Sequence, residues 1–125
     1  MKNQSELNKT IVQKFNKECI EIASKSSFDQ LLSEQVINHS APPNAPNGKA
    51  SFDFFINNIL HKGFSDLKVE ILDQIAEGDL VATRKKIKGK HTGEIFGIVA
   101  SQKEVEINII DIIRLNNGQY VEHWG

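Results

Sequence analysis

Cysteine, methionine, tryptophan and tyrosine each occur once among the 125 residues, and proline only three times. A single cysteine, Cys19, has no partner, so no internal disulfide is possible. No apolar run approaches the ~20 residues of a membrane span. Charge of one sign is missing too. Fifteen Lys and Arg against sixteen Asp and Glu leave a net charge of −1. Without a basic block, neither a nucleic-acid face nor a polybasic membrane segment is expected. The opening stretch MKNQSELNKT is polar and lacks the apolar core of a signal peptide, which points to a cytoplasmic protein. The four histidines, His39, His61, His91 and His123, show no three- or four-residue metal spacing, so no metal is expected. The glycines at 89–97 fit no phosphate cradle, and no cofactor is expected.

At this length a chain forms one domain, here 1–125, and buries roughly two-thirds of its unfolded surface. The first half reads as helices. In 5–24, Leu7, Ile11, Val12, Phe15, Cys19, Ile22 and Ala23 recur at steps of three and four. SSFDQLLSE predicts a second helix, with Ser27 as N-cap and Gln30 closing a capping box. The proline-rich NHSAPPNAPNGK is a loop. A third helix follows over about 49–62, where Phe52, Phe55, Ile56, Ile59 and Leu60 repeat the pattern.

The second half reads as strands. DLKVEILDQI alternates, AEGD turns, and LVATRKKIK leads out. KEVEINIIDIIRL is the longest strand, with Val105, Ile107, Ile109, Asp111 and Ile113 on one face. NNGQ supplies the Asn-Gly pair of a two-residue hairpin, and YVEHWG pairs back. Helices followed by tightly connected strands predict an α+β domain with helices on one face of an antiparallel sheet.

INHSAP, IAEGDLVATR, GKHTGEIFGI and IIDIIRLNNGQYVEHWG, in this order, resemble the SnoaL-like polyketide cyclase family. The resemblance runs from about residue 8 to 125. It implies the cone-shaped fold of nuclear transport factor 2, three helices on a curved antiparallel sheet, with a small-molecule pocket between. Ketosteroid isomerase and limonene epoxide hydrolase share that fold, so fold alone does not decide function. The resemblance further implies a general acid/base aspartate after the Glu-His-Trp run, where this chain has Gly125. Restoring it as Gly125→Asp is expected to raise activity. Limonene epoxide hydrolase also has an aspartate two residues beyond its strand arginine. Here that place is Lys86, so its triad is incomplete.

The remaining polar residues divide between two roles. Asp111 is the only acid on an apolar stripe, and burial raises a carboxyl pKa unless a cation pairs with it. Strand alternation puts His123 on the Gly125 side, and an imidazole suits proton transfer near neutral pH. Asp111 and His123 are therefore the expected acid/base groups. Arg84, as an orienting fork or as an ion-pair partner for Asp111, His91 between glycines, Asn38 and His39, which the resemblance places at the pocket mouth, and Trp124 are the expected ligand-binding residues. The ligand is expected to be small and hydrophobic or carbonyl-bearing. The reaction would be cofactor-free proton abstraction and aldol-type cyclisation. The alternative is a binding protein that has lost the acid. Ile110 and Ile112, facing away from Asp111, predict a homodimer through the outer sheet face.

Overall fold

A computed structural model describes residues 3–125; the expected domain also takes in residues 1 and 2, which lie outside that range. Helix α1 (Gln4–Phe15) starts where the Asn3 side chain accepts the Glu6 N–H at 2.9 Å. It continues as a π-helical segment, Asn16–Glu21. A π turn holds more residues than an α turn and rotates the stripe that follows. Ile20 is consequently buried, whereas Ile22, expected inside, is exposed. Helix α3 (Lys49–Asp53) behaves alike, running into a π segment, Phe54–Leu60, and a closing turn, His61–Gly63.

Between them the sequence reading needs correction. Helix α2 (Lys25–Leu31) is capped by Ser24, not Ser27. The Ser27 hydroxyl instead donates to Glu18. The expected tail of this helix is strand β1 (Leu32–Asn38). β1 lies parallel to the last strand, so long-range pairing overrides local helical patterning.

Four long-expected strands follow: β2 (Phe64–Glu77), β3 (Leu80–His91), β4 (Glu104–Asn116) and β5 (Gln119–Trp124). The sheet order is β1-β5-β4-β3-β2. All pairs except β1 with β5 are antiparallel. The α+β architecture of three helices on a curved sheet is as expected, with one parallel edge added. The β4–β5 hairpin turns on Asn117 and Gly118, both left-handed (φ 52° and 77°), as a type I′ turn requires.

Curvature comes from breaks in the ladder. β2 shifts register twice against β3, and β5 shifts once against β4. In β5 the shift makes Val121 a bulge: Leu115 faces Tyr120 and Arg114 faces Glu122. The concave face carries Val81, Ile87, Ile113 and Leu115, which pack with Val12, Phe15, Ile56 and Leu60 from the helices. Among the described residues no helix is long and apolar enough to cross a membrane.

Ile113, in the C-terminal half of the central strand, is 1% exposed. Ile113→Ala should cost about 2–5 kcal/mol, read as a lowered urea midpoint at unchanged slope. A midpoint within error of the parent would show that β4 does not present this face to the core.

Candidate functional site

The helices do not close fully on the sheet. They leave a cavity of about 390 Å³. Phe15, Phe52, Phe54, Phe55, Ile87 and Ile109 make much of its wall apolar, and Asn38, Lys85, Asp111, Tyr120 and His123 bring polar groups to it. The π segments serve this shape: one opens at Asn16, the other carries Phe54, Phe55 and Ile59 along the wall.

Asp111 lies on the inward face of β4, opposite Thr83, and is 5% exposed. Its Oδ2 sits 3.2 Å from Lys85 Nζ and 3.7 Å from His123 Nε2. Oδ1 has no hydrogen-bond partner among the described residues. Burial is the largest influence on this carboxyl and works to raise its pKa. The His123 imidazole and the Lys85 charge oppose it and together win, so the group is held below its ordinary value. Asp111 is therefore a carboxylate at neutral pH. Lys85 Nζ also donates to Asn16 Oδ1 at 2.6 Å, and Asn16 Nδ2 donates to the Val12 carbonyl. The cation thus ties the first helix to the sheet.

His123 is fixed from its other side. Its Nδ1 lies 2.8 Å from Asn38 Oδ1. That oxygen also accepts the Ser40 N–H, while Asn38 Nδ2 donates to Ser51 Oγ and Ser51 donates to the Gly48 carbonyl. The amide is consequently oriented with its oxygen towards the imidazole. Nδ1 therefore donates to Asn38 Oδ1, and Nε2 is the ring nitrogen that faces Asp111.

Of the residues expected here, Asp111, His123 and Asn38 converge on the cavity. The other four do not line it. Arg84 is corrected first. Odd residues of β3 point inward, so Arg84 points outward, where its Nε donates to Asp73 at 2.7 Å. The cation beside Asp111 is its neighbour Lys85. His91 is inward but beyond the cavity, bonded through Nδ1 to Ser101 and tilted against Phe64. It pins the loop after β3. His39 and Trp124 stack on each other at 4.8 Å, and Trp124 points outward from β5 beside the Arg114 guanidinium. His39 Nε2 bonds Glu122 instead of a ligand.

Gly125 does line the cavity, but no side chain fits there. A Cβ on this backbone would meet the Ile110 carbonyl oxygen at 2.6 Å and Asp111 Cα at 2.9 Å, at a φ of 115°. The expectation that Gly125→Asp restores an acid is therefore revised. A carboxylate at 125 would displace backbone next to Asp111 and add a like charge.

Two residues went unnoticed in the sequence. Lys85 sits in a run, RKKIK, that looks like a solvated face, yet its odd number puts it on the Asp111 side. Tyr120 is even-numbered and alternation from His123 sends it outward; the Val121 bulge brings both inward. Among the described residues no cluster of three or more His, Cys, Asp or Glu could hold a metal ion.

The profile of the family described as SnoaL-like polyketide cyclase matches residues 10–125. No curated protein matches the chain. Solved structures do. TsrD from Streptomyces laurentii superposes with a TM-score of 0.84 at 21% identity, covering 98% of this chain and 89% of that one. IdmH from Streptomyces antibioticus, a candidate polyketide cyclase, gives 0.80 at 22% identity, over 94% and 88%. An LEH-like epoxide hydrolase of M. tuberculosis gives 0.72 at 10%, over 98% and 79%. At such identities the likeness is one of fold.

Removing the cation tests the site's electrostatics. In the parent, the folded pKa of Asp111 lies below its unfolded value. Its contribution to stability is present above about pH 4 and fades as pH falls through the lower folded value. In Lys85→Met burial dominates and the folded pKa rises, so the penalty grows as pH climbs past about 4. Breaking a buried pair costs about 3–5 kcal/mol. Denaturant titrations should show a larger deficit at pH 7 than at pH 4. Equal deficits would mean that Lys85 only fills space.

Proposed function

The chain belongs to the SnoaL-like polyketide cyclase family, and on that footing we propose that its cavity catalyses cofactor-free proton transfer on a small carbonyl-bearing ligand, leading to aldol-type ring closure. The observation that carries this reading is the approach of Asp111 and His123 in an apolar, partly closed space. In the proposed step a base takes a proton from the carbon next to a carbonyl. The C–H electron pair becomes a C=C bond, and the carbonyl π pair moves onto oxygen. The enolate carbon then attacks a second carbonyl of the same molecule, and the new alkoxide takes a proton back. His123 Nε2 or Asp111 removes the first proton, and Lys85 keeps Asp111 ionised for the task. Apolar walls exclude competing water.

A second reading, a binding module without turnover, has one observation in its favour: Gly125 provides no acid where the family resemblance implies one. The same experiment separates the two. 2-Acetylnaphthalene in D2O should exchange its α-protons faster with the protein than without, and Asp111→Asn should slow that exchange by about 10²–10⁴. Saturable binding of the ketone without any catalysed exchange favours the second reading.

We also propose a single domain, a cytoplasmic protein and a homodimer through the outer sheet face. Ile75, Ala82, Ile112 and Trp124 stand side by side across four strands there, with Ile110 exposed in the next row. Soluble monomers rarely leave such a patch in water. Light scattering should report twice the 14.0 kDa chain mass at micromolar concentration; a value near one chain overturns the dimer.

A further inference from the structure

Besides Asp111 Oδ1, a second hydrogen-bonding group at the cavity is left over among the described residues. Tyr120, the only tyrosine of the chain, stacks on Phe15 at a centroid distance of 4.2 Å and is 2% exposed. Among the described residues its hydroxyl has no hydrogen-bond partner. Leaving a buried polar group unpaired costs about 1–3 kcal/mol, and buried tyrosines usually find a partner. Yet this hydroxyl is not sealed in. Asp111 Oδ1 alone, among the described residues, is both unpartnered and buried away from open space. Tyr120 Oη therefore keeps access to space, and the space its residue lines is the cavity.

Its position is specific. The bulge at Val121 puts Tyr120 on the same face as His123, opposite Leu115, while His123 lies opposite Ile113. A donor and a base on one strand thus look into one apolar chamber. Burial lifts the phenol pKa well above its ordinary value, with Asp111 and Cys19 adding to the effect, so the hydroxyl keeps its proton. Lys85 is less free to serve a ligand, since two of its three N–H groups already face Asn16 and Asp111.

We propose that the Tyr120 hydroxyl donates a hydrogen bond to the carbonyl oxygen of the ligand, so that the cavity selects ketones bound with C=O towards Tyr120 and the α-carbon towards Asp111 and His123. This assignment rests on the proton-transfer reading above and deepens it. When the α-proton leaves, negative charge gathers on the oxygen that Tyr120 touches. A donor waiting there stabilises the enolate more than the ketone, and no proton has to leave the phenol.

The bond is read directly by difference infrared spectroscopy with 2-acetylnaphthalene labelled with ¹³C at the carbonyl. On binding to the parent protein, the C=O band should move to lower frequency. Tyr120→Phe, which keeps the ring and its stacking on Phe15, should return the band to its position in an apolar solvent. The same variant should slow catalysed α-proton exchange by about 10²–10³-fold. Because there is only one tyrosine, growth with 3,5-difluorotyrosine labels this position alone, without a mutation that could unfold the chain. The more acidic phenol should push the band lower still. A band at the same frequency in parent, Tyr120→Phe and fluorinated protein overturns the assignment, as does failure of the parent to take up the ketone. Failure of the proton-transfer reading looks different: the band shifts as expected, but no exchange is catalysed.

Discussion

A carboxylate held in an apolar cavity must be compensated, and much of this molecule is arranged around doing so for Asp111. The ion pair with Lys85 is the first compensation, and Asn16 holds Lys85 in place from the helix side. His123 is the second, held by Asn38, which is held in turn by Ser40 and Ser51. Four strands, two helical segments and one loop therefore meet through polar contacts at a single charge. Nonpolar packing decides how firmly the helices sit on the sheet. The polar chain decides where on the sheet they sit, because a hydrogen bond of 2.6–2.9 Å tolerates little sliding.

This dependence explains the π-helical segment after α1. A regular helix would carry its stripe straight on through Ile22. Widening at Asn16 turns that residue's amide onto the sheet and buries Ile20 in place of Ile22. The irregularity lies where the helix touches the buried cation, in keeping with the tendency of π turns to mark functional positions.

Most of the architecture was legible in the sequence because it is written in short-range periods. Apolar steps of three and four marked α1 and α3, alternation marked β2 to β4, and Asn117-Gly118 marked the last turn. β1 was not legible: its partner is β5, more than eighty residues away, and nothing local in LSEQVIN announces a parallel edge. The site was half legible. Asp111 stood out as an acid on an apolar stripe, and His123 followed from its neighbour. Lys85 was hidden by the charged company it keeps. Arg84 and Trp124 match by residue type but face the outer side of their strands, and His39, just past the end of β1, turns to Glu122 and Trp124. Combining the inward parity of β3 with that of β4 exchanges Arg84 for Lys85 without any structure.

The bulge at Val121 sets the phase of everything after it. Were β5 to slip by one residue and erase the bulge, Glu122 would turn inward in place of His123, bringing a second carboxylate towards Asp111. The same slip would carry Trp124 to the place opposite Asp111 that Gly125 now occupies, where even a methyl group meets backbone at 2.6 Å. Charge repels the slipped state and bulk forbids it. An edge-proximal strand of six residues, too short to lock its pairing by hydrophobic pattern, is thereby held to a single alignment.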